Sequence, residues 1–134
     1  IDKKAKKLIA VTEGALTEGV KAAKAGGRIG DIGHAIEKFV KKNKFSIVEE
    51  LGGHGVGGRV HEEPHIPNYG IKGTGPELVL GMVLALEPIV NEGSRHVILD
   101  SDGYTFKTKD GKRSAHFEDT ILITKNGAEI ITKS

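Results

Sequence analysis

The sequence predicts a single α+β domain in which two helices precede a mostly antiparallel sheet. Apolar residues recur at helical spacing in the first third of the chain, and apolar segments of strand length follow from residue 45. Asp-Gly and Asn-Gly pairs separate the last of these segments, and such pairs are strong signals for tight hairpins. A length of 134 residues suits one compact domain, so we expect residues 1–134 to form a single unit.

Two amphipathic segments predict the helices. In residues 3–25 the apolar positions share one helical face, namely Leu8, Val11, Ala15, Leu16, Val20 and Ala23. The segment AGGRIGDIG interrupts this pattern. A second helix is predicted over residues 31–43, with a buried stripe formed by Ile32, Ile36, Phe39 and Val40.

The remaining two thirds of the chain predict strands and turns. FSIVEEL (residues 45–51) reads as a short strand that leads into a glycine-rich loop. MVLALEPIV (residues 82–90) reads as a buried strand that ends at Pro88 or shortly after it. SAHFEDTILIT (residues 114–124) reads as a strand, and tight turns are predicted at Asp102-Gly103, Asp110-Gly111 and Asn126-Gly127.

Composition excludes several classes of protein. The chain has no cysteine, which removes disulfides, thiolate metal sites and thiol nucleophiles. A formal net charge of +2 gives no support for a nucleic-acid partner, and no apolar run is long enough to span a membrane. The P-loop and G-x-S-x-G motifs are absent, and HEEP (residues 61–64) lacks the second histidine of the zinc motif H-E-x-x-H.

Titratable residues in apolar or glycine-rich surroundings are the candidates for chemistry. His54 stands between glycines, Glu87 lies in an apolar segment, and strand alternation puts Glu118 on the same face as His116. One histidine and two glutamates from three segments suit a hydrolytic metal such as Mn, Co, Fe or Zn. His61, seven residues after His54, is then free to contact a substrate. The structural alternative is a polar loop with salt-bridged glutamates.

Three segments together closely resemble the signature segments of type I methionine aminopeptidases. They are GGHGVGGRVHEEPHIPNYG, GMVLALEPIV and TKDGKRSAHFEDTILIT, and the similarity extends over essentially the whole chain. The resemblance implies the pita-bread fold and a cytoplasmic, metal-dependent hydrolase. Its substrate would be the N-terminal initiator methionine of peptides and nascent proteins.

The resemblance also implies a role for each candidate residue. His54 matches the histidine metal ligand, Glu87 the terminal glutamate ligand, and Glu118 the glutamate that bridges two divalent ions. Glu87 also matches the residue that handles the proton of the attacking water, and His61 the histidine that contacts the scissile amide. Two ions per complete site are implied, with Co, Mn, Fe and Zn as the candidates.

One departure from the family pattern concerns the remaining ligands. The family has two aspartate ligands upstream of the first helix, and the chain begins at Ile1, too late to contain them. None of its own aspartates lies in a similar segment; they are Asp2, Asp31, Asp100, Asp102, Asp110 and Asp119. We therefore expect the C-terminal portion of a catalytic domain, with an upstream half of the same protein as a partner.

Two alternative functions remain open at this point. The first is a pita-bread peptidase with proline-directed specificity. The second is a non-catalytic pita-bread module that binds a peptide or a partner protein. Retention of glutamates in buried segments counts against the second, because an uncompensated buried carboxylate is costly.

Overall fold

The computed structural model describes residues 3–49, 51–56, 62–92, 97–99, 106–108 and 114–132. Over these ranges two helices are followed by ten strands. The helices are α1 (Lys3–Ala22) and α2 (Ile29–Lys42); the strands are β1 (Ser46–Ile47), β2 (Gly52–Gly55), β3 (Glu62–Pro67), β4 (Val83–Leu86), β5 (Ile89–Asn91), β6 (Val97–Leu99), β7 (Phe106–Thr108), β8 (Ser114–His116), β9 (Asp119–Thr124) and β10 (Gly127–Thr132). The predicted turns at Asp102-Gly103 and Asp110-Gly111 lie outside the described residues.

Both helices form where the apolar spacing predicts them, and their predicted inner faces are largely buried. Four predicted α1 positions and three predicted α2 positions belong to the core: Leu8, Val11, Ala15, Leu16, Ile32, Ile36 and Val40. Phe39 is only partly buried, and its ring occupies the space that a side chain at Gly14 would need. The glycine in α1 therefore permits close packing of the two helices. Neither helix of the described chain has the length and apolarity to cross a membrane.

Every strand pair in the described chain is antiparallel, as the sequence predicts. A five-stranded sheet has the order β10-β9-β4-β2-β3, a three-stranded sheet has the order β1-β5-β8, and β6 pairs with β7. Buried residues of the helices and of the two larger sheets form one hydrophobic cluster that includes Ile36, Leu84 and Ile121. The Asn126-Gly127 turn is confirmed: it joins β9 to β10, and Gly127 has a φ of +115° that favours glycine.

The glycine-rich segment corrects one expectation, because residues 52–55 form a strand and not a loop. β2 lies between β3 and β4 in the larger sheet. A Cβ on Gly53 would overlap the carbonyl oxygen of Ala85, and one on Gly52 would lie 2.6 Å from the carbonyl oxygen of Ile66. The strand is thus glycine-rich because both neighbouring backbones approach it closely.

Two other predicted strands are each divided in two. MVLALEPIV becomes β4 and β5, which belong to different sheets, and SAHFEDTILIT becomes β8 and β9, which also belong to different sheets. The two breaks face each other, since Leu86 pairs with Asp119 and Ile89 pairs with His116. Glu87 is therefore not inside a strand, as the sequence suggested, but in the link between two sheets.

Gly53 provides a test of the close strand packing. We expect Gly53→Ala to reduce the free energy of unfolding by about 1–3 kcal/mol, because the added methyl group forces β2 away from β4. The fall in melting temperature, followed by circular dichroism, measures this change. A variant as stable as the unchanged protein would contradict the packing described for Gly53.

Asp31 stabilises the start of α2 in a pH-dependent manner. Its carboxylate accepts hydrogen bonds from the backbone N–H groups of Arg28 (2.9 Å) and Gly73 (2.7 Å). These two hydrogen bonds hold the pKa of Asp31 below its ordinary value of 3.8, and the bond from Arg28 has the larger effect. The charge of Lys72 lowers the pKa by a smaller amount. Because the folded pKa is the lower one, the stabilisation is complete above pH 3.8 and is lost as the pH falls through the folded value.

We therefore expect Asp31→Asn to melt at a lower temperature than the unchanged protein at pH 7. The difference between the two should shrink as the pH falls below 3.8, where the unchanged carboxyl also loses its charge. Thermal melts from pH 7 downwards measure the difference. Glu13→Gln, which removes an exposed α1 carboxylate, serves as the control. If the melting temperatures of Asp31→Asn and the unchanged protein differ by the same amount at every pH, the stabilising role of the ionised Asp31 carboxylate is contradicted.

Candidate metal centre

The facing breaks in the two divided strands bring the predicted metal ligands together. Glu87 lies between β4 and β5, and Glu118 lies between β8 and β9. His54, on the neighbouring strand β2, pairs with Ala85 of β4. One potential ligand atom from each of these three side chains lies within 4.8 Å of the other two, and all three side chains are partly buried.

The ring of His54 is oriented by its own strand. Its Nδ1 lies 2.9 Å from the carbonyl oxygen of Gly55. A carbonyl oxygen only accepts hydrogen bonds, so Nδ1 donates, and in a neutral imidazole Nε2 then carries a lone pair. Nε2 faces away from this contact, toward the carboxylates. This is the arrangement by which proteins orient a histidine that binds a metal.

The contact between His54 and Glu87 fits a shared cation. His54 Nε2 and Glu87 Oε2 are 2.9 Å apart, and the two side chains are only 14% and 18% exposed. A lone pair and a carboxylate oxygen at this distance repel each other unless a proton or a cation lies between them. The nitrogen and oxygen donors here are those that Zn, Mn, Fe and Co accept in hydrolytic sites.

His116 is a further member of the centre. Its Nε2 lies 3.5 Å from Glu87 Oε1, the carboxylate oxygen not in contact with His54. The hydrogen bond to Glu87 raises the pKa of His116; desolvation opposes this shift, and the charges of Glu87 and Glu118 add to it. Since the folded pKa is the higher one, the resulting stabilisation is present at low pH and is lost as the pH rises through the folded value.

A cleft of about 550 Å³ opens onto this centre. His54, Glu87 and His116 line it together with Glu63 and His65 of β3. His65 pairs directly with His54 across β2 and β3, and its ring lies over Gly52. The centre is therefore open to a substrate through this cleft, whose walls come from β2, β3 and the residues that follow β4.

The sequence prediction and the structure differ mainly in the residues around the ligands. His54, Glu87 and Glu118 come together as predicted, whereas His61 lies outside the described residues. The sequence indicates His116 as a potential ligand on the same strand face as Glu118, but it does not indicate the contact between His116 and Glu87. The signal was the H-x-E spacing of His116 and Glu118 next to an apolar segment.

The fold and the centre together define a class of protein. Residues 1–125 match the model of metallopeptidase family M24. The chain belongs to this family, whose name implies divalent metal ions. The α+β architecture is the pita-bread fold that the sequence resemblance predicted.

Several relatives of this chain are methionine aminopeptidases. Methionine aminopeptidase 1 of Bacillus subtilis is 52% identical over 128 residues, which cover 96% of this chain and 52% of the relative. The methionine aminopeptidase of Clostridium perfringens is 48% identical over 132 residues, which cover 98% of this chain and 53% of the relative. The chain thus spans about half the length of the curated relatives that it matches.

Solved structures give the same result. The crystal structure of methionine aminopeptidase from Thermotoga maritima has a TM-score of 0.96 and 50% identity, and the match covers 99% of this chain and 53% of that one. The prolidase from Pyrococcus furiosus has a TM-score of 0.68 and 27% identity, with 99% and 34% covered. The resemblance to methionine aminopeptidases is confirmed, and proline-directed enzymes are more distant.

The raised pKa of His116 leads to a prediction for the metal-free protein. We expect Glu87→Gln to lower the pKa of His116, because the neutral amide no longer stabilises the protonated ring. Glu118→Gln should lower it less, since Glu118 acts only through its charge. Titration of the His116 ring signals by nuclear magnetic resonance measures both. A larger effect of Glu118→Gln would contradict the hydrogen bond between His116 and Glu87.

Proposed function

We propose that this chain supplies part of the active site of a cytoplasmic methionine aminopeptidase. The reaction is the metal-dependent removal of the N-terminal methionine from peptides and nascent proteins. The observation that carries the proposal is the convergence of His54, Glu87 and Glu118, with ligand atoms within 4.8 Å of one another. The similarity to enzymes named methionine aminopeptidases supports methionine as the residue removed.

In this proposal the ligands have distinct roles. His54, through Nε2, and Glu87 would each hold a divalent ion, and Glu118 would serve both ions, a role that comes from the family resemblance. Cobalt, manganese, iron and zinc all suit this set of donors. A bound divalent ion would polarise the substrate carbonyl and lower the pKa of water so that it attacks at neutral pH.

The side chains of this chain then handle the proton and the substrate. Glu87 accepts the proton of the attacking water, since its carboxylate faces both the ligand atoms and the cleft. His116, at 3.5 Å from Oε1, restrains that carboxylate while the proton is held. His61 contacts the scissile amide, a role that comes from the family resemblance alone.

The three ligand side chains found among the residues that the structure describes are too few for two ions. A structural or catalytic ion usually has three or four protein ligands, and one shared glutamate leaves the second ion poorly held. We infer that the other ligands come from residues outside this chain, in an upstream half of the same protein. Residues 1–134 are then one part of a single catalytic domain.

Methionine release tests the proposal directly. The purified chain is incubated with the peptide Met-Ala-Ser and Mn(II) or Co(II), alone or mixed with the part of the Bacillus subtilis enzyme that this chain does not match. We expect chelator-sensitive release of methionine in the mixture. Glu87→Gln should reduce the rate by a factor of about 100 or more, because it removes the proton acceptor.

Two controls separate the alternatives. An X-Pro peptide tests proline-directed specificity, and faster cleavage of it than of Met-Ala-Ser would contradict the methionine assignment. Calorimetric titration with Co(II) tests the centre without any substrate. If the chain binds cobalt but methionine is released neither by the chain alone nor in the mixture, aminopeptidase activity is contradicted and a non-catalytic module is favoured.

A further inference from the structure

Asn68 makes a buried contact with the backbone of Glu87. It follows β3, the residue is 1% exposed, and its Nδ2 donates a hydrogen bond of 2.8 Å to the carbonyl oxygen of Glu87. A side-chain amide is costly to bury unless its hydrogen bonds are made. The contact joins two segments that lie 19 residues apart in the chain.

The carbonyl that Asn68 binds lies where regular strand pairing stops. β4 pairs with β9 as far as Leu86, and the next ladder, between β5 and β8, starts at Ile89. Pro88, between them, has no N–H group to donate. The amide of Asn68 therefore gives the Glu87 carbonyl a hydrogen-bond donor at the junction of two sheets.

Asn68 is itself held in a fixed position. β3, which ends at Pro67, pairs with β2, the strand that carries His54. On its other side, helix α2 approaches so closely that a Cβ on Gly33 would overlap the carbonyl oxygen of Tyr69 and lie 2.7 Å from that of Pro67. The residues on both sides of Asn68 are thus packed against α2. The hydrogen bond from Asn68 therefore fixes the Glu87 carbonyl relative to this helix.

We propose that Asn68 is a positioning residue that fixes the backbone of Glu87 and thereby aims its carboxylate at the metal centre. A metal site requires ligand distances accurate to about 0.2 Å. Without the hydrogen bond from Asn68, the backbone of Glu87 loses a restraint at the junction of the two sheets, and its carboxylate is held less well at 2.9 Å from His54 Nε2. This role rests on the proposed function of the centre, but the orientation of Glu87 can be measured without a metal.

The test compares Asn68→Asp and Asn68→Ala with Asn43→Ala. The aspartate keeps the size of the side chain but presents an oxygen to the Glu87 carbonyl, whereas alanine removes the group. Asn43 is the matched control, because its Nδ2 also donates a 2.8 Å hydrogen bond to a carbonyl, that of Phe39 at the end of α2. All three variants should melt at a lower temperature than the unchanged protein.

Two readouts distinguish positioning from stability alone. In the metal-free protein, the nitrogen-15 signal of His54 Nε2 should shift in both Asn68 variants, because Glu87 Oε2 moves away from it. The affinity for Co(II), measured by calorimetry, should fall by a factor of about 10 to 100 in the same variants. Asn43→Ala should leave both quantities unchanged.

The results separate this role from the proposed function. Unchanged His54 signals in folded Asn68→Asp and Asn68→Ala would overturn the positioning role, as would equal changes in Asn43→Ala. If the unchanged chain itself binds no Co(II), the metal centre fails for the isolated chain, and the His54 signals alone decide the role of Asn68. If Asn68→Asp does not fold, the same comparison is made with Asn68→Ala.

Discussion

The structure depends on the antiparallel pairing of two segments, residues 83–91 and 114–124. Each segment passes from one sheet to the other, and the two crossings lie opposite each other. β4 and β9 pair in one sheet, β5 and β8 pair in another, and the links between them meet at Glu87 and Glu118. Each link must turn the chain between sheets, so its side chains leave the regular alternation of a strand. Two carboxylates thereby face one another at partly buried positions, where separate strands would keep them apart.

The sequence predicted the parts of this structure that depend on local pattern. Residues such as Ile32 and Ile36 repeat at helical spacing, and both are fully buried. His54, Glu87 and Glu118 were recognisable because an imidazole between glycines and carboxylates beside apolar residues are chemically unusual. Helical spacing and an unusual chemical environment both depend on residues that are close together in the chain. A single sequence is therefore enough to identify the helices and these three residues.

The remaining features depend on residues that are distant in the chain. Nothing near residues 87–88 indicates that β4 and β5 enter different sheets, because the choice is made by pairing with β9 and β8. The glycines of β2 signalled a loop when considered alone, and only the close backbones of β3 and β4 explain a strand. The contact between Asn68 and Glu87 likewise depends on the packing of β3 and α2, which no local pattern around residue 68 indicates.

In the proposed metal centre, the spacing of the three ligand side chains would link ion binding to the folding equilibrium. His54, Glu87 and Glu118 are separated by about thirty residues at each step, and only the folded chain holds them within 4.8 Å of one another. An ion that binds the folded form alone shifts the equilibrium toward it in proportion to the logarithm of the ion concentration. At a concentration 100 times the dissociation constant, this linkage is worth about 2.7 kcal/mol. The centre would then act as a reversible cross-link between β2, the β4–β5 link and the β8–β9 link, with the metal supply setting its strength.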